Sequence, residues 1–575
     1  MSRRRPKTTT KAAPLSPAAW GLPLVLIAAA IVFSPALNFQ FVFDDRYQIA
    51  QNPTITSWSY LPQYFRSHVW GYSSTWTNYY RPVFLLALRI WESLVGLDPI
   101  AWHAFPIAVH MVNVALVFLL AKRLDNDRVT TGWIAATVFA VHPVHIEAVA
   151  SIFGVTDALM TSSLLASFLC YLHWRRNGRV PWFALSALLF AIALLTKESA
   201  VVFPLVLLAY EWIVARSDED STRRAAWPFA MVIVLILIAY FAARHAVLGA
   251  ALGFTVVPVP WSTLVLTAPL SLVTFLRLLL VPYGMSSFYN CTYVARPDLV
   301  HFFLPLALLL LIVVGIRFWS HRTRTPLIAF AAVWAFLAVL PVLNIRLMQE
   351  GDFIHIRFLY VPCIAVSLLA AIAIRQLISS PRHRFATAAA LIIALAVSTY
   401  AQIGFLANNV VMFQRGVLIA PENRVPANNL ADEYIKVGRL DEATTLLDEN
   451  LRRHPDFWMS NYNRGYIAYL RKNWPEVDQY MNRSITNHGE QIDAYVYRGF
   501  ALLKLGRTEE AEQSVRQAIA INPKARSYHF VLGLVLRQEQ RWTDALDAFQ
   551  QELAINPNDA GAATHVADLR TRIGK

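Results

Sequence analysis

Residues 20–46 read Trp20-Gly-Leu-Pro-Leu-Val-Leu-Ile-Ala-Ala-Ala-Ile-Val-Phe33-Ser-Pro-Ala-Leu-Asn38-Phe-Gln-Phe41-Val-Phe-Asp44-Asp45-Arg46. The uncharged stretch from Trp20 to Phe41 is about 20 residues, long enough to cross a bilayer as a helix, and two adjacent carboxylates stand just beyond its end. The tail before it, Ser2 to Lys11, carries Arg3, Arg4, Arg5, Lys7 and Lys11, which the positive-inside rule keeps cytoplasmic. No small-residue cleavage site follows a short apolar core, so the segment reads as a retained anchor.

Working outward, the chain of 575 residues is 56% hydrophobic with a mean hydropathy of +0.42, too apolar for a soluble protein of that length. Uncharged runs recur at Leu22–Phe33, Ala230–Ala243, Leu304–Ile316 and Ala388–Val397 and stop near residue 415. Charge divides there too. Of 51 Lys and Arg and 37 Asp and Glu, residues 415–575 hold 21 of each, so the net +14 belongs to the first 414 residues. No soluble basic face accompanies that surplus, which excludes a nucleic-acid partner in favour of basic membrane loops. Cys170, Cys291 and Cys363 have no metal spacing.

Spans are expected at 20–41, 103–121, 131–147, 155–173, 181–196, 199–215, 225–243, 301–317, 326–343, 358–375 and 385–405, eleven in all by apolar length. The connectors Lys122–Arg128, Arg175–Arg179, Arg216–Arg224, Arg317–Arg324 and Arg375–Arg384 then all lie inside. Two apolar segments remain, 82–97 and 264–282. Counting the second as a span would put His321–Arg324 and Arg382–Arg384 outside, so both are expected to lie in or against the outer leaflet. This topology gathers Asp44–Arg81, His142–Asp157, Thr196–Glu198, Arg244–Tyr289 and Asn344–Arg357 on one outer face.

The C-terminal part has a fixed period of 34. Pro421, Pro455, Pro523 and Pro557 follow it with Gly489 filling the missing step, as do Ala431, Gly465, Gly499 and Gly533, and Ala443, Val477, Ala511 and Ala545. Small residues at these places let paired helices approach, and Pro ends the second helix of each pair: the tetratricopeptide (TPR) pattern. The fold class is therefore all-α, a polytopic membrane bundle over 20–410 behind a basic tail 1–19, and a TPR α-solenoid over 411–575. The repeats fall at 424–457, 458–491, 492–525 and 526–559, with a capping helix Asp559–Ile573.

Chemistry concentrates at the outer ends. Asp44 and Asp45 fit a general base whose proton affinity is raised by desolvation, a divalent-cation site, or an interfacial charge pair. Arg81, in Tyr79-Tyr80-Arg81-Pro82, stands at a helix N-terminus that suits a phosphate, or snorkels to headgroups. His142, His145 and Glu147 offer an HxxH-plus-acid set for zinc, but Pro143 lies between the histidines and no further ligand pair or nearby Cys completes it. They read better as shaping a substrate or phosphate pocket. Lys197 and Glu198 form an outer-edge pair, functional or a structural ion pair between helices. Arg357, in His355-Ile356-Arg357-Phe358-Leu359-Tyr360, suits a lipid phosphate, or pairs with Glu350 or Asp352. Tyr462, Tyr466 and Tyr469 lie on the first-helix face that lines a TPR groove, or serve inter-repeat packing. No Walker, GxGxxG, GxSxG or HExxH pattern is present.

The order Phe41-Val-Phe-Asp-Asp-Arg46, Tyr80-Arg-Pro82, Val141-His-Pro-Val-His-Ile-Glu-Ala-Val149, Leu194-Leu-Thr-Lys-Glu198, Arg357-Phe-Leu-Tyr-Val-Pro362 and terminal TPRs resembles the transmembrane and TPR-containing O-mannosyltransferases and their bacterial relatives. These belong to the GT-C glycosyltransferase superfamily. The resemblance runs from about residue 20 to the end. It implies a polyprenyl- or dolichyl-phosphate-sugar donor and a protein hydroxyl acceptor held by the TPR groove, with Asp44 and Asp45 at the catalytic site and Arg357 facing the donor phosphate. Arg81, His142 and Lys197 are further phosphate candidates, and His145, Glu147, Glu198, His355 and Tyr360 are further substrate contacts. Many relatives carry an acid just before that arginine, where this chain has Ile356, which puts the donor contacts in doubt. No cofactor is required; Mg²⁺ or Mn²⁺ on Asp44 and Asp45 is the alternative. The resemblance places the chain in a bacterial inner membrane with periplasmic TPRs, or in an endoplasmic reticulum membrane with lumenal ones. The rival classes are a non-catalytic membrane-anchored TPR scaffold for secretion or polymer export, and a transporter. A transporter would spread its charges through the midplane, whereas these crowd at one face.

Overall fold

A computed structural model describes residues 17–73, 77–217, 226–253, 255–256, 259–348, 351–489 and 491–574. The basic tail Ser2–Lys11, Glu350 and most of the Arg216–Arg224 connector lie outside the described residues. The chain divides into two compact units between Arg415 and Gly416.

Every secondary-structure element among the first unit's described residues is a helix. Nine helices there are long and apolar enough to cross a membrane, or ten if Val129–Val141 and Pro143–Ala150, which meet at 53°, form one broken span. Proline and glycine set several helix ends in this unit. Pro82, Pro99, Pro326 and Pro381 open helices at the first position, where a missing N–H costs nothing. Gly178 and Gly249, left-handed at φ 64° and 70°, close Val155–Asn177 and Trp227–Leu248.

Helix Val155–Asn177 packs against Pro99–Leu124 and Val180–Thr196, and Tyr360–Leu377 against Val129–Val141 and Pro326–Val339. Of the nine, Val155–Asn177 and the span that contains Tyr360–Leu377 are the most buried. Leu299–Thr323, by contrast, exposes Leu310, Leu311, Val313 and Val314 all round, a surface only lipid can solvate.

All eleven expected spans appear as helical segments, but two differ in length and one excluded segment qualifies. Val180–Thr196 has 17 residues and Phe203–Ile213 has 11, short of the roughly 20 that a straight crossing needs. Trp261–Leu280, expected to lie flat, is 20 residues long and passes the test for a crossing helix. The expectation weighed the sign of connectors, and length and composition speak the other way. Pro82–Val95 is amphipathic, burying Phe84, Leu85 and Leu88 on one face.

The second unit is four antiparallel helix pairs: Arg424–Lys436 with Leu440–Arg453, Trp458–Leu470 with Trp474–Asn487, Ile492–Lys504 with Thr508–Ile521, and Tyr528–Gln538 with Trp542–Ile555, capped by Ala560–Ile573. The period has a steric cause. A Cβ on Gly465, Gly499 or Gly533 would come within 3.0 Å of Met481, 2.4 Å of Val515 or 2.7 Å of Phe549 on the partner helix. Ala443, Val477, Ala511 and Ala545 are fully buried at the same seams.

Candidate active site

Five stretches far apart in sequence meet around one cavity of about 420 Å³ in the first unit. Asp44 comes from the end of the first apolar helix, and Tyr79 and Arg81 from the turn before Pro82. Glu147 and Phe153 come from the break after Val141. Lys197 and Glu198 come from the turn after Thr196, and Asp352, His355 and Arg357 from the approach to the helix at Tyr360. Arg244, at the end of Trp227–Leu248, lines it too.

The two adjacent acids have separate fates. Asp45 is fully buried and turned into the protein, where its carboxylate accepts from the backbone N–H groups of Phe153 at 2.6 Å and Ile152 at 3.2 Å and from the Ser151 hydroxyl at 3.4 Å. It is an anchor for the 151–153 turn and does not line the cavity. Asp44 does. Burial pushes its pKa up from 3.8 to about 6, with Arg357 and His355 pulling down and Asp352 and Glu147 adding to the rise. Burial also raises Asp45, to about 7, against the amides that favour its ionised form. The residue before Asp44 is strained: Phe43 has φ 45°, uncommon for a bulky side chain and a mark of functional sites. It is held there by its N–H donating to Asn409 Oδ1 at 2.8 Å and by ring contact with Phe413.

The cations come as ion pairs. Arg81 forks onto Glu198, Nε to Oε2 at 2.9 Å and Nη2 to Oε1 at 2.5 Å, with Tyr79 stacked at 4.3 Å. Burial would raise Glu198, but the fork wins and holds it at about 2. Lys197 Nζ touches both Asp157 oxygens at 2.6 Å. Arg357 donates to Glu147 from its side chain at 2.8 Å and its backbone N–H at 3.2 Å. The described partner of Arg357 is thus Glu147, not Asp352. His355 sits 3.4 Å from Glu147 and 3.1 Å from Asp352. Burial and Arg357 oppose its charge, yet these two acids outweigh them and raise its pKa to about 9.

Several expected site residues lie elsewhere. His142 is buried with Nε2 on the Leu279 carbonyl and Nδ1 capping Val144. His145 is buried among the rings of His110, Phe139 and Tyr360. Tyr360 binds His110 at 2.7 Å and Asn113 at 3.0 Å in the helical core. Pro143 turns the chain, so of that motif only Glu147 reaches the cavity. The chain brings Asp44 and Asp45 together in sequence but aims them apart, and among the described residues no three His, Cys, Asp or Glu side chains are arranged to hold a metal. Of the expected metal sets, His142 and His145 are engaged inside the protein, and Asp45 is turned away from the cavity that Asp44 lines. Arg89 is tied to Glu92 and the Ile55 carbonyl. In the repeats, Tyr462, Tyr466 and Tyr469 all pack on Tyr497 of the next repeat, at 6.2, 5.4 and 4.9 Å between rings, and stay half-buried.

Sequence reading missed Asp157, Arg244 and the Tyr79 stack. For Arg244 the available signal was a lone arginine closing the uncharged run 230–243.

Among the described residues, an apolar helical bundle with a charged cavity at its helix ends and a solenoid of TPR helix pairs define a multi-pass membrane protein with helical repeats. Residues 81–243 match the family model Dolichyl-phosphate-mannose-protein mannosyltransferase. Residues 425–574 match the model T7SS, ESX-1 secretion system protein EccA1, N-terminal domain. The chain is 25% identical to Protein O-mannosyl-transferase F38B6.6 of Caenorhabditis elegans, over 70% of this chain and 58% of that protein. It is 24% identical to Protein O-mannosyl-transferase TMTC3 of Homo sapiens, over 90% and 62%, and 33% identical to Protein O-mannosyl-transferase Tmtc1 of Drosophila melanogaster, over 30% and 20%. These matches bear out the resemblance to the transmembrane and TPR-containing O-mannosyltransferases, of which the chain is a relative. It spans less than two thirds of the length of these curated relatives. The repeats are similar to the solved TPR protein YrrB at 20% identity, covering 28% of this chain and 84% of that one with a TM-score of 0.27; the helix pairs alone carry the TPR reading.

Proposed function

We propose that the protein is a multi-pass membrane glycosyltransferase that moves mannose or another hexose from a polyprenyl- or dolichyl-phosphate donor to a Ser/Thr hydroxyl of a polypeptide. The observation that carries this reading is the cavity itself. It holds a carboxylate with raised proton affinity, Asp44, beside Arg357, Arg81 and Lys197.

In one inverting displacement, the acceptor oxygen attacks the anomeric carbon as Asp44 takes its proton. The new C–O bond forms while the bond from the anomeric carbon to the phosphate oxygen breaks, and that electron pair leaves with the lipid phosphate. The cation-lined wall stabilises the departing charge. No step needs a metal. Ion-paired cations at Arg81, Lys197 and Arg357 keep their geometry before the donor arrives, the preorganisation that makes such fields effective. The TPR unit recruits the polypeptide, and the site faces the periplasm in a bacterial inner membrane or the lumen in an endoplasmic reticulum membrane.

The test is transfer in vitro from a polyprenyl-phosphate sugar with Asp44→Asn and Asp45→Asn. Asp44→Asn is expected to lower the rate by roughly 10²–10⁴-fold, the usual weight of a general base. Unchanged transfer in both variants removes the catalytic assignment, and no transfer by the wild-type protein favours the scaffold. Mass spectrometry of exported proteins from cells with and without the gene reads the acceptor; no lost glycan points to a lipid or polysaccharide instead.

A further inference from the structure

We propose that Arg244 is the direct ligand of the donor's phosphodiester, an assignment that rests on the transfer reading above. Four Lys or Arg side chains line the cavity, and three are committed. Arg81 is forked onto Glu198, Lys197 bridges both oxygens of Asp157, and Arg357 is bound to Glu147. Arg244 is different. It is only 4% exposed, its Nη2 donates to the Asn78 backbone carbonyl at 2.8 Å, and its Nη1 contacts the Tyr240 hydroxyl at 3.4 Å. Its Nε has no partner among the described residues.

Both partners are neutral. The acid whose field Arg244 shares is Glu198, already bound through both oxygens by Arg81. Two guanidinium groups around one carboxylate leave one positive charge over. A buried cation without its own counter-ion is costly, and proteins keep one where a ligand supplies the missing charge. The wall is shaped to hold it. Gly253, at φ +89°, stands where a Cβ would come 2.8 Å from Asn78 Oδ1 and 3.3 Å from Arg244 Nη2.

One surplus cation calls for a ligand with one negative charge. A glycosyl phosphodiester carries one, and its oxygens suit the planar guanidinium; a diphosphate-linked sugar brings two. Position agrees. The charges that bear most on Asp44 are Arg357, Asp352, His355 and Glu147, whereas Arg244 bears on Glu198. Base and phosphate ligand thus stand on different elements of the wall, Asp44 beyond the first apolar helix and Arg244 at the end of Trp227–Leu248.

The phosphodiester chemistry is shared by membrane phospholipids, so the test separates the two sources. Binding of a polyprenyl-phosphoryl-hexose is measured on the full chain in phosphatidylcholine nanodiscs without acceptor. Arg244→Gln is expected to weaken it roughly tenfold to a hundredfold, the span of a charge-assisted bond, with Arg244→Lys recovering part. Thermal unfolding of Arg244→Gln should not fall below wild type, because no ion pair is broken; Arg81→Gln, which strands Glu198, should lower it. Binding by Arg244→Gln within twofold of wild type overturns the assignment. So does equal binding of a polyprenyl-diphosphoryl-hexose, or displacement of the donor by phosphatidylglycerol as readily as by unlabelled donor. If Arg244→Gln does not fold, Arg244→Lys decides: unchanged donor affinity there, with unchanged sensitivity to added salt, overturns it. Wild-type protein that binds the donor through Arg244 yet transfers nothing overturns the transfer reading and leaves this one standing.

Discussion

The side chains of Arg357 and Glu147, 210 residues apart in sequence, meet at 2.8 Å, and the Arg357 backbone N–H adds a second bond to the same carboxylate. The pair ties the helix break after Val141 to the start of the helix at Tyr360, and so fixes two walls of the cavity at once. Removing one partner of a buried pair strands the other charge, at a cost of about 3–5 kcal/mol, more than the pair contributes net. Glu147→Gln and Arg357→Met are each expected to lower the unfolding temperature strongly, and the double variant less than their sum. Additive losses in a double-mutant cycle followed by thermal unfolding would contradict the pairing.

Asp44 accepts a proton only when ionised. With burial raising its pKa to about 6, kcat/KM for transfer should climb about tenfold per pH unit below that point and level off above it. A profile with its acid limb near 4 would place the base elsewhere.

Stability runs the opposite way over part of this range. Asp44 is raised from 3.8 to about 6, so between those values the folded state holds a proton the unfolded chain has released, and stability falls as pH rises through the window. Asp44→Asn should therefore raise the unfolding temperature more at pH 8 than at pH 4. His355, raised to about 9 from 6.5, contributes stability present below 6.5 and lost as pH rises through 9.

The neighbouring acid gives a different signature. Asp45→Asn leaves one acceptor oxygen for the N–H groups of Ile152 and Phe153, which the carboxyl meets with separate oxygens, and a buried donor left unmatched costs about 1–3 kcal/mol. The expected result is a lower unfolding temperature, with whatever protein remains folded still able to transfer at a reduced rate. Full stability in Asp45→Asn would refute its role as an anchor.

In the repeats, Gly499→Ala weighs two effects. The methyl gains about 1 kcal/mol of helix propensity, but its Cβ would lie 2.4 Å from Val515 Cγ2 and 3.3 Å from the Ala511 carbonyl, overpacking that costs about 1–3 kcal/mol. Crowding should win. Loss of helical signal on heating at a lower temperature than wild type checks it.

The solenoid was legible because its signal is local: one small residue every 34 positions, each answering a neighbour sixteen residues on, as Gly499 answers Val515. The membrane helices were legible by apolar length, although at Trp261–Leu280 length and composition point to a crossing helix where the charge of distant connectors pointed to one lying flat. The site was half legible. Asp44, Arg81, Glu147, Lys197, Glu198, His355 and Arg357 announce themselves as charges at the ends of apolar runs, where desolvation makes idle charge expensive. Their partners do not. Asp157 sits one turn into a helix and Arg244 closes one, and only three-dimensional packing says that the first neutralises Lys197 and the second lacks an acid of its own. His142, His145 and Tyr360 show the converse: polar residues at a promising position that fold inward and meet their hydrogen-bonding needs among Leu279, Val144, His110 and Asn113, or sit among aromatic rings.

The backbone on either side of Asp44 is pinned, by Asn409 and Phe413 acting on Phe43 and by the 151–153 turn acting on Asp45. A side chain mounted between two fixed points has little conformational entropy left to surrender when a hydroxyl draws near. Much of the cost of organising that encounter is thus met once, when the chain folds, and is not incurred again at every turnover.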